Sequence, residues 1–148
     1  MKYLWIALGM LAISFQANAA DAMKTVASKH SFQETQSRLE SVLKEKGFTI
    51  FATIDHTAGA EKIGLKMQPE TVTIFGNPKG GTPFMVASPE AAIDFPMKAL
   101  VWQDASGKVF LSYNTIASVA KRHHIKGQAA LVKKVDGAQA AIAKAVTE

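Results

Sequence analysis

The sequence predicts an α+β domain in which helices cover one face of a mainly antiparallel sheet, in the chain order strand, helix, four strands, helix. Three stretches predict it. Residues 31–47 carry the signals of a capped amphipathic helix, and residues 48–54 alternate with the period of a half-buried strand. Residues 97–114 hold two apolar runs on either side of Ala105-Ser106-Gly107, the pattern of a hairpin.

Taken in order, residues 23–29 alternate enough for a first strand. Ser31-Phe-Gln-Glu34 then sets a serine at the N-cap and a glutamate three residues on, the capping-box arrangement that satisfies the first free N–H groups of a helix. Phe32, Thr35, Leu39, Val42 and Leu43 share one face at helical spacing, Glu34, Arg38, Lys44 and Glu45 stay outside, and Gly47 supplies the stop. Phe48, Ile50, Ala52 and Ile54 alternate with Thr49, Phe51, Thr53 and Asp55, which sets the first group inward and gives His56 the same parity. Residues 57–65 read as a short helical or loop connection, and residues 70–75 as a β-branched strand ended by Gly76-Asn77-Pro78.

Gly80, Gly81, Pro83 and Pro89 predict that residues 79–89 form a loop with about one helical turn, and Ser88-Pro89-Glu90-Ala91 begins a short helix. The hairpin strands, residues 97–104 and 108–114, carry Leu100, Val101, Trp102, Val109, Phe110, Leu111 and Tyr113 and are expected at the centre of the sheet. Residues 116–124 form a short helical segment and Gly127 punctuates it. Residues 128–146 follow as a longer helix with Leu131, Val135, Ala138, Ile142 and Ala145 on one stripe. That stripe is expected to pack either on its own sheet or on a second copy; left open to water it would favour association, so a homodimer is one of the two expected states.

Residues 1–19 read as a secretory signal peptide: Lys2 opens it, residues 4–15 are an apolar run, and Ala17-Asn18-Ala19 is a small-residue cleavage site. A bilayer-spanning helix takes about twenty apolar residues, so the run predicts export without stable membrane insertion. The expected division is a leader at 1–19, a domain at 20–127 and a C-terminal helical extension at 128–148, in the periplasm or secreted. The chain has no cysteine, which excludes disulfides, thiolate metal sites and cysteine nucleophiles.

The formal net charge of +5 is placed unevenly. Acidic and basic residues balance between 20 and 114, while residues 115–148 hold Lys121, Arg122, Lys126, Lys133, Lys134 and Lys144 against Asp136 and Glu148. Such an end fits either a solvated helix surface or an acidic partner such as anionic lipid. Basic residues are not interleaved with aromatics, so nucleic acid is not an expected partner.

Asp55-His56 is the first candidate site. A histidine at a strand end is able to ligate a metal or haem, or act as a base, and Asp94 would orient its ring if folding brought it near. Asp55 itself faces the other way along the strand. The turn formed by Phe75, Gly76, Asn77 and Lys79 is the second candidate for ligand binding, because a glycine-rich corner presents backbone N–H groups, although it lacks P-loop spacing and equally serves as a structural corner. His123 and His124 adjoin on a helix and do not have the i, i+4 spacing of a metal pair. No nucleophile-elbow, zincin or paired-carboxylate pattern occurs.

Several short motifs in order carry a resemblance: Ser31-Phe-Gln-Glu-Thr35 with Leu39, Lys46-Gly47-Phe48, Ile54-Asp55-His56, Ala60 with Gly64-Leu65, Ile74-Phe75-Gly76-Asn77-Pro78-Lys79 with Gly81-Thr82-Pro83, Asp94-Phe95-Pro96, the Val101 strand, Gly107-Lys108-Val109 and Ser112-Tyr113. Together they resemble the domain of unknown function 302 family over roughly residues 24–125, with Phe95 where the family more often has leucine. The resemblance implies a curved sheet gripping a helix, similar to the TATA-binding-protein-like group, and implies no activity. The functional expectation is therefore a non-catalytic ligand-binding or assembly domain. A small metal or haem protein using His56 is the alternative, and a hydrolase with an unrecognised site stands behind it.

Overall fold

The computed structural model describes residues 22–148, so the expected leader lies outside the described residues. Five strands, β1 (Met23–Ala27), β2 (Thr49–Asp55), β3 (Glu70–Gly76), β4 (Met97–Gln103) and β5 (Val109–Asn114), form one sheet in the order β1-β5-β4-β3-β2, with every neighbouring pair antiparallel. Five helices accompany it: α1 (Phe32–Glu45), α2 (His56–Lys62), α3 (Pro78–Ala87), α4 (Ile116–Arg122) and α5 (Ala129–Thr147). A 3-10 turn, Pro89–Asp94, joins α3 to β4. The α+β architecture predicted from the sequence is the one observed.

Helices α1 and α5 cover one face of the sheet. Leu39 and Leu43 of α1, Phe75, Ala99, Val101, Val109 and Leu111 of the sheet, and Ile142, Ala143 and Val146 of α5 form one buried cluster, with Phe32, Val42 and Ile50 packed at its margin. Helix α1 begins as its sequence demands: Ser31 Oγ accepts from the Glu34 N–H, and Gly47 takes a left-handed φ of 74° just past the end. Glu34 turns its carboxylate to His30 Nδ1 at 3.0 Å instead of closing the box on the serine. The opposite face of the sheet presents Ile54, Val72, Ile74, Leu100 and Trp102, which are half-buried or exposed among the described residues.

Three expectations change. Helix α5 packs on its own sheet, one of its two expected settings, but the residues it sends into the core are Ile142, Ala143 and Val146. The buried positions are also rotated from the predicted stripe, with Ala145 exposed and Ala143 inside. Residues 78–87 form a ten-residue helix rather than a loop, although Pro83 removes one ladder donor from it. Burial of Phe84 within that helix, with its side chain wholly inaccessible, outweighs the local cost of proline and two glycines.

The third change concerns β2. The register with β3 slips between Ile50 and Ala52, leaving Phe51 as an extra, bulged residue. Every later residue of the strand then reverses face. Ile50 remains against the core while Ala52 and Ile54 turn to the open face, so the inward parity extended to His56 does not hold.

Candidate functional site

The bulge in β2 has a local product. Phe51, 58% exposed, is set beside the end of β3, where it approaches Gly76 closely. A Cβ at Gly76 would lie in van der Waals contact with the Phe51 ring at 3.4 Å and with Pro96 at 3.5 Å, so both residues flank this position. Beyond Gly76 the chain turns at once into α3: Asn77 Oδ1 accepts from the Lys79 N–H at 3.0 Å and Pro78 occupies the first turn. Gly80 and Gly81 then leave the first turn of α3 without side chains. On the far side stand Phe95 and Pro96, joined by a cis peptide, and Met97 at the start of β4.

These elements border a half-open cleft of about 210 Å³, with Met85 and Val135 also in its lining. Its far wall is fixed, because Phe95 stacks on the buried Phe84 with ring centroids 5.8 Å apart and planes within 6°. No ionisable side chain lines it, and the polar atoms available are the Thr82 hydroxyl, the Asn77 amide and backbone groups. The described lining offers no general acid or base, and the side-chain atoms in it that could ligate a soft metal are the Met85 and Met97 thioethers.

Behind the Phe95 wall lies an ionic cluster. Arg122 Nη1 donates to both Asp94 oxygens at 2.7 and 2.9 Å, and His123 Nε2 lies 2.6 Å from Asp94 Oδ2. Partial burial pushes the Asp94 carboxyl up, but the His123 hydrogen bond and the charge and hydrogen bond of Arg122 outweigh it and hold the group below its ordinary value. The cluster ties the 3-10 turn, and hence the cleft wall, to the end of α4.

The predicted site residues separate into two places. Gly76 and Asn77 line the cleft; Phe75 points the other way into the core, edge-on to Phe48 at 5.5 Å, and Lys79 is exposed beside the cleft without lining it. Asp55 and His56 lie at the opposite end of the sheet, since Asp55 pairs with Thr71 whereas Thr49 pairs with Gly76, a separation of roughly 20 Å along the strand. Asp55 caps α2 by accepting from the Ala58 N–H at 2.9 Å, and His56 is the exposed first residue of that helix. Among the described residues no group of three or more His, Asp or Glu is placed to hold a metal ion, at His56 or elsewhere. Asp94 does orient a histidine ring, but the ring is His123 rather than His56.

Sequence reasoning missed Phe51, Met85, Phe95, Pro96 and Val135. Of these, Phe95 and Pro96 had a signal in the sequence, as part of the Asp94-Phe95-Pro96 motif that carries the family resemblance.

The fold has a solved counterpart. The crystal structure of an uncharacterized conserved DUF302 protein from Bacillus stearothermophilus superposes with a TM-score of 0.76 at 19% identity, over 84% of this chain and 97% of that one. Residues 24–147 match the family described as Domain of unknown function DUF302. The chain belongs to that family, and the match includes α5. Two curated relatives are similar in sequence: the Fluoride-specific ion channel FluC 1 of Brucella suis biovar 1 (strain 1330) and that of Brucella abortus biovar 1 (strain 9-941), each 43% identical over 101 residues, 68% of this chain. The matched stretch spans 40% and 37% of the length of those relatives.

Proposed function

We propose that this domain is a non-catalytic binding module of an exported protein, and that its cleft between Phe51, the Gly76–Gly81 corner and Phe95-Pro96 takes a small apolar group. The observation that carries the reading is the cleft itself: an apolar space beside a β-bulge and two glycines, with no ionisable side chain among its described lining residues. A cavity of this size suits a probe such as indole, since apolar cavities of about 150 Å³ accept benzene.

The test uses a glycine. Gly80 is among the residues that line the cleft and a Cβ built on it meets nothing within 4 Å, so Gly80→Leu adds apolar bulk there without a clash at its root. Indole titrated into the wild-type chain should shift backbone resonances of residues 76–82 and 95–97, and Gly80→Leu should remove those shifts while leaving the fold intact. Shifts that persist in the variant, or that fall elsewhere, dismiss the cleft. Native mass spectrometry of protein purified from its own host then identifies the natural occupant as added mass.

A second reading concerns assembly. The relatives titled as fluoride-specific ion channels are longer than the stretch they share with this chain, and among the described residues no helix is long and apolar enough to cross a membrane. We infer that the shared stretch is an appendage to the conducting part of those relatives, and that this chain works beside a membrane, on its periplasmic side. Cross-linking in intact cells tests it, with recovery of integral membrane proteins as the expected outcome. Recovery of soluble proteins alone rejects it.

A further inference from the structure

The positive charge of residues 115–148 is not left evenly over the surface. Arg122 is committed to Asp94, and Lys144 lies 3.8 Å from Glu148. Asp136 directs both oxygens to the start of α4, accepting from the N–H groups of Ile116 and Ala117 at 2.6 and 3.1 Å. Lys121, Lys126, Lys133 and Lys134 remain, none with an ion pair among the described residues. Three of these four line a single open groove between α4 and α5 of about 760 Å³, together with His124.

The floor of that groove is apolar. His124 takes a left-handed φ of 51°, which lets the Ile125 N–H return to the Ala120 carbonyl at 2.9 Å and places Ile125 in the groove with Ala120 and Val132. Lysine stems lie readily along such a floor while their ammonium groups reach outward. The one carboxylate among the described lining residues, Asp136, keeps its charge while accepting from the Ile116 and Ala117 N–H groups, so three lysines against one carboxylate leave the groove with a net charge of +2. Unpaired cations around an apolar strip match the chemistry of an anionic amphiphile: phosphates outside, hydrocarbon beneath.

We propose that the α4–α5 groove is a docking surface for a bilayer rich in anionic phospholipid, with Lys121, Lys126 and Lys133 on headgroup phosphates and Ile125 and Val132 facing the acyl boundary. The choice of a bilayer over an acidic peptide rests on the membrane-side reading above. The cleft plays no part in it.

Flotation of the chain with vesicles tests it, comparing phosphatidylglycerol mixed with phosphatidylcholine against phosphatidylcholine alone. The chain should float with the anionic vesicles, stay behind with the neutral ones, and be released by salt, which screens such contacts. Each groove lysine should contribute roughly fivefold, so the combined Lys121→Gln, Lys126→Gln, Lys133→Gln variant should bind about a hundredfold more weakly. A control with the same charge change at the opposite end of the sheet, Lys62→Gln, Lys66→Gln, Lys108→Gln, should bind like wild type. Equal losses in both variants would show that bulk charge and not the groove is responsible, and no flotation with anionic vesicles would overturn the proposal outright. Soluble polyglutamate that binds the wild type more tightly than vesicles do, and loses that binding in the groove variant, would assign the surface to an acidic protein instead. Gly80→Leu should float unchanged, so failure of the cleft and failure of the groove are read separately.

Discussion

The two ends of α5 are built by opposite rules. At its C-terminal end the free carbonyls are taken: Arg38 Nε and Nη2 donate to Val146 and Ala145 at 3.1 and 2.9 Å, and the Lys29 N–H donates to Thr147 at 2.9 Å. A cation there also complements the helix dipole, and Ile142, Ala143 and Val146 anchor the same turns in the core. At the N-terminal end Gln128 makes no side-chain cap, no acidic residue stands in the first turn, and lysines flank it instead. The neighbouring helix α4 shows that this chain is capable of capping: Thr115 and Asp136 both serve its start. An end that keeps its local rules is holding the fold together, and one that breaks them without compensation is available to something outside the chain.

The largest effect that would sharpen this contrast is on packing. Ile142→Ala should cost about 2–5 kcal/mol, the range for truncating a fully buried aliphatic side chain, whereas Leu131→Ala at the other end should cost less than about 1.5 kcal/mol. Denaturant midpoints decide it, and equal losses would erase the distinction. Next in size, Arg38→Ala should cost about 1–2 kcal/mol by freeing the Ala145 and Val146 carbonyls, read as a lower melting temperature.

Acid titration probes the ground between the two ends. Asp94 is held below its ordinary value of 3.8, so the stability it contributes is fully present above that pH and is lost as pH falls through its folded-state value. Asp94→Asn should therefore flatten the stability profile below about pH 4. An unchanged acid limb would mean that the Arg122–Asp94–His123 cluster does not hold in solution. The smallest effect is the most pointed: Gln128→Asp supplies the missing cap and should raise stability by about 0.5–1 kcal/mol. The same change should weaken flotation with anionic vesicles, since it adds a negative charge beside the groove.

Much of the fold was legible because local signals and packing agree. In α1 the serine cap, the Leu39 and Leu43 face and the Gly47 stop each carry a physical requirement that the structure meets. Helix α3 was not legible, because Gly80, Gly81 and Pro83 speak locally while the burial of Phe84 is decided by Phe95, which lies outside the helix. The hairpin was plain but its facing was not: Val101 is buried and Leu100 turns to the open side, a choice that two adjacent apolar residues leave undetermined. A single bulged residue likewise undid the parity of Ile54 and His56, since alternation carries no information about where a strand slips. The corner at Gly76 and Asn77 was found by its turn chemistry, while its partner wall at Phe95-Pro96 came from a separate stretch of chain that only folding brings opposite.

Strand order also sets a schedule. Among the described residues strand β1 pairs only with β5, Met23 lying opposite Asn114 and Thr25 Oγ1 bonding Ser112 Oγ at 2.8 Å. Synthesis must therefore pass residue 114 before the first strand has anything to bind, and loop closure over that span comes late in folding. Until then residues 23–27 have no strand of their sheet to pair with. Once β5 arrives, the edge is paired and that interval ends.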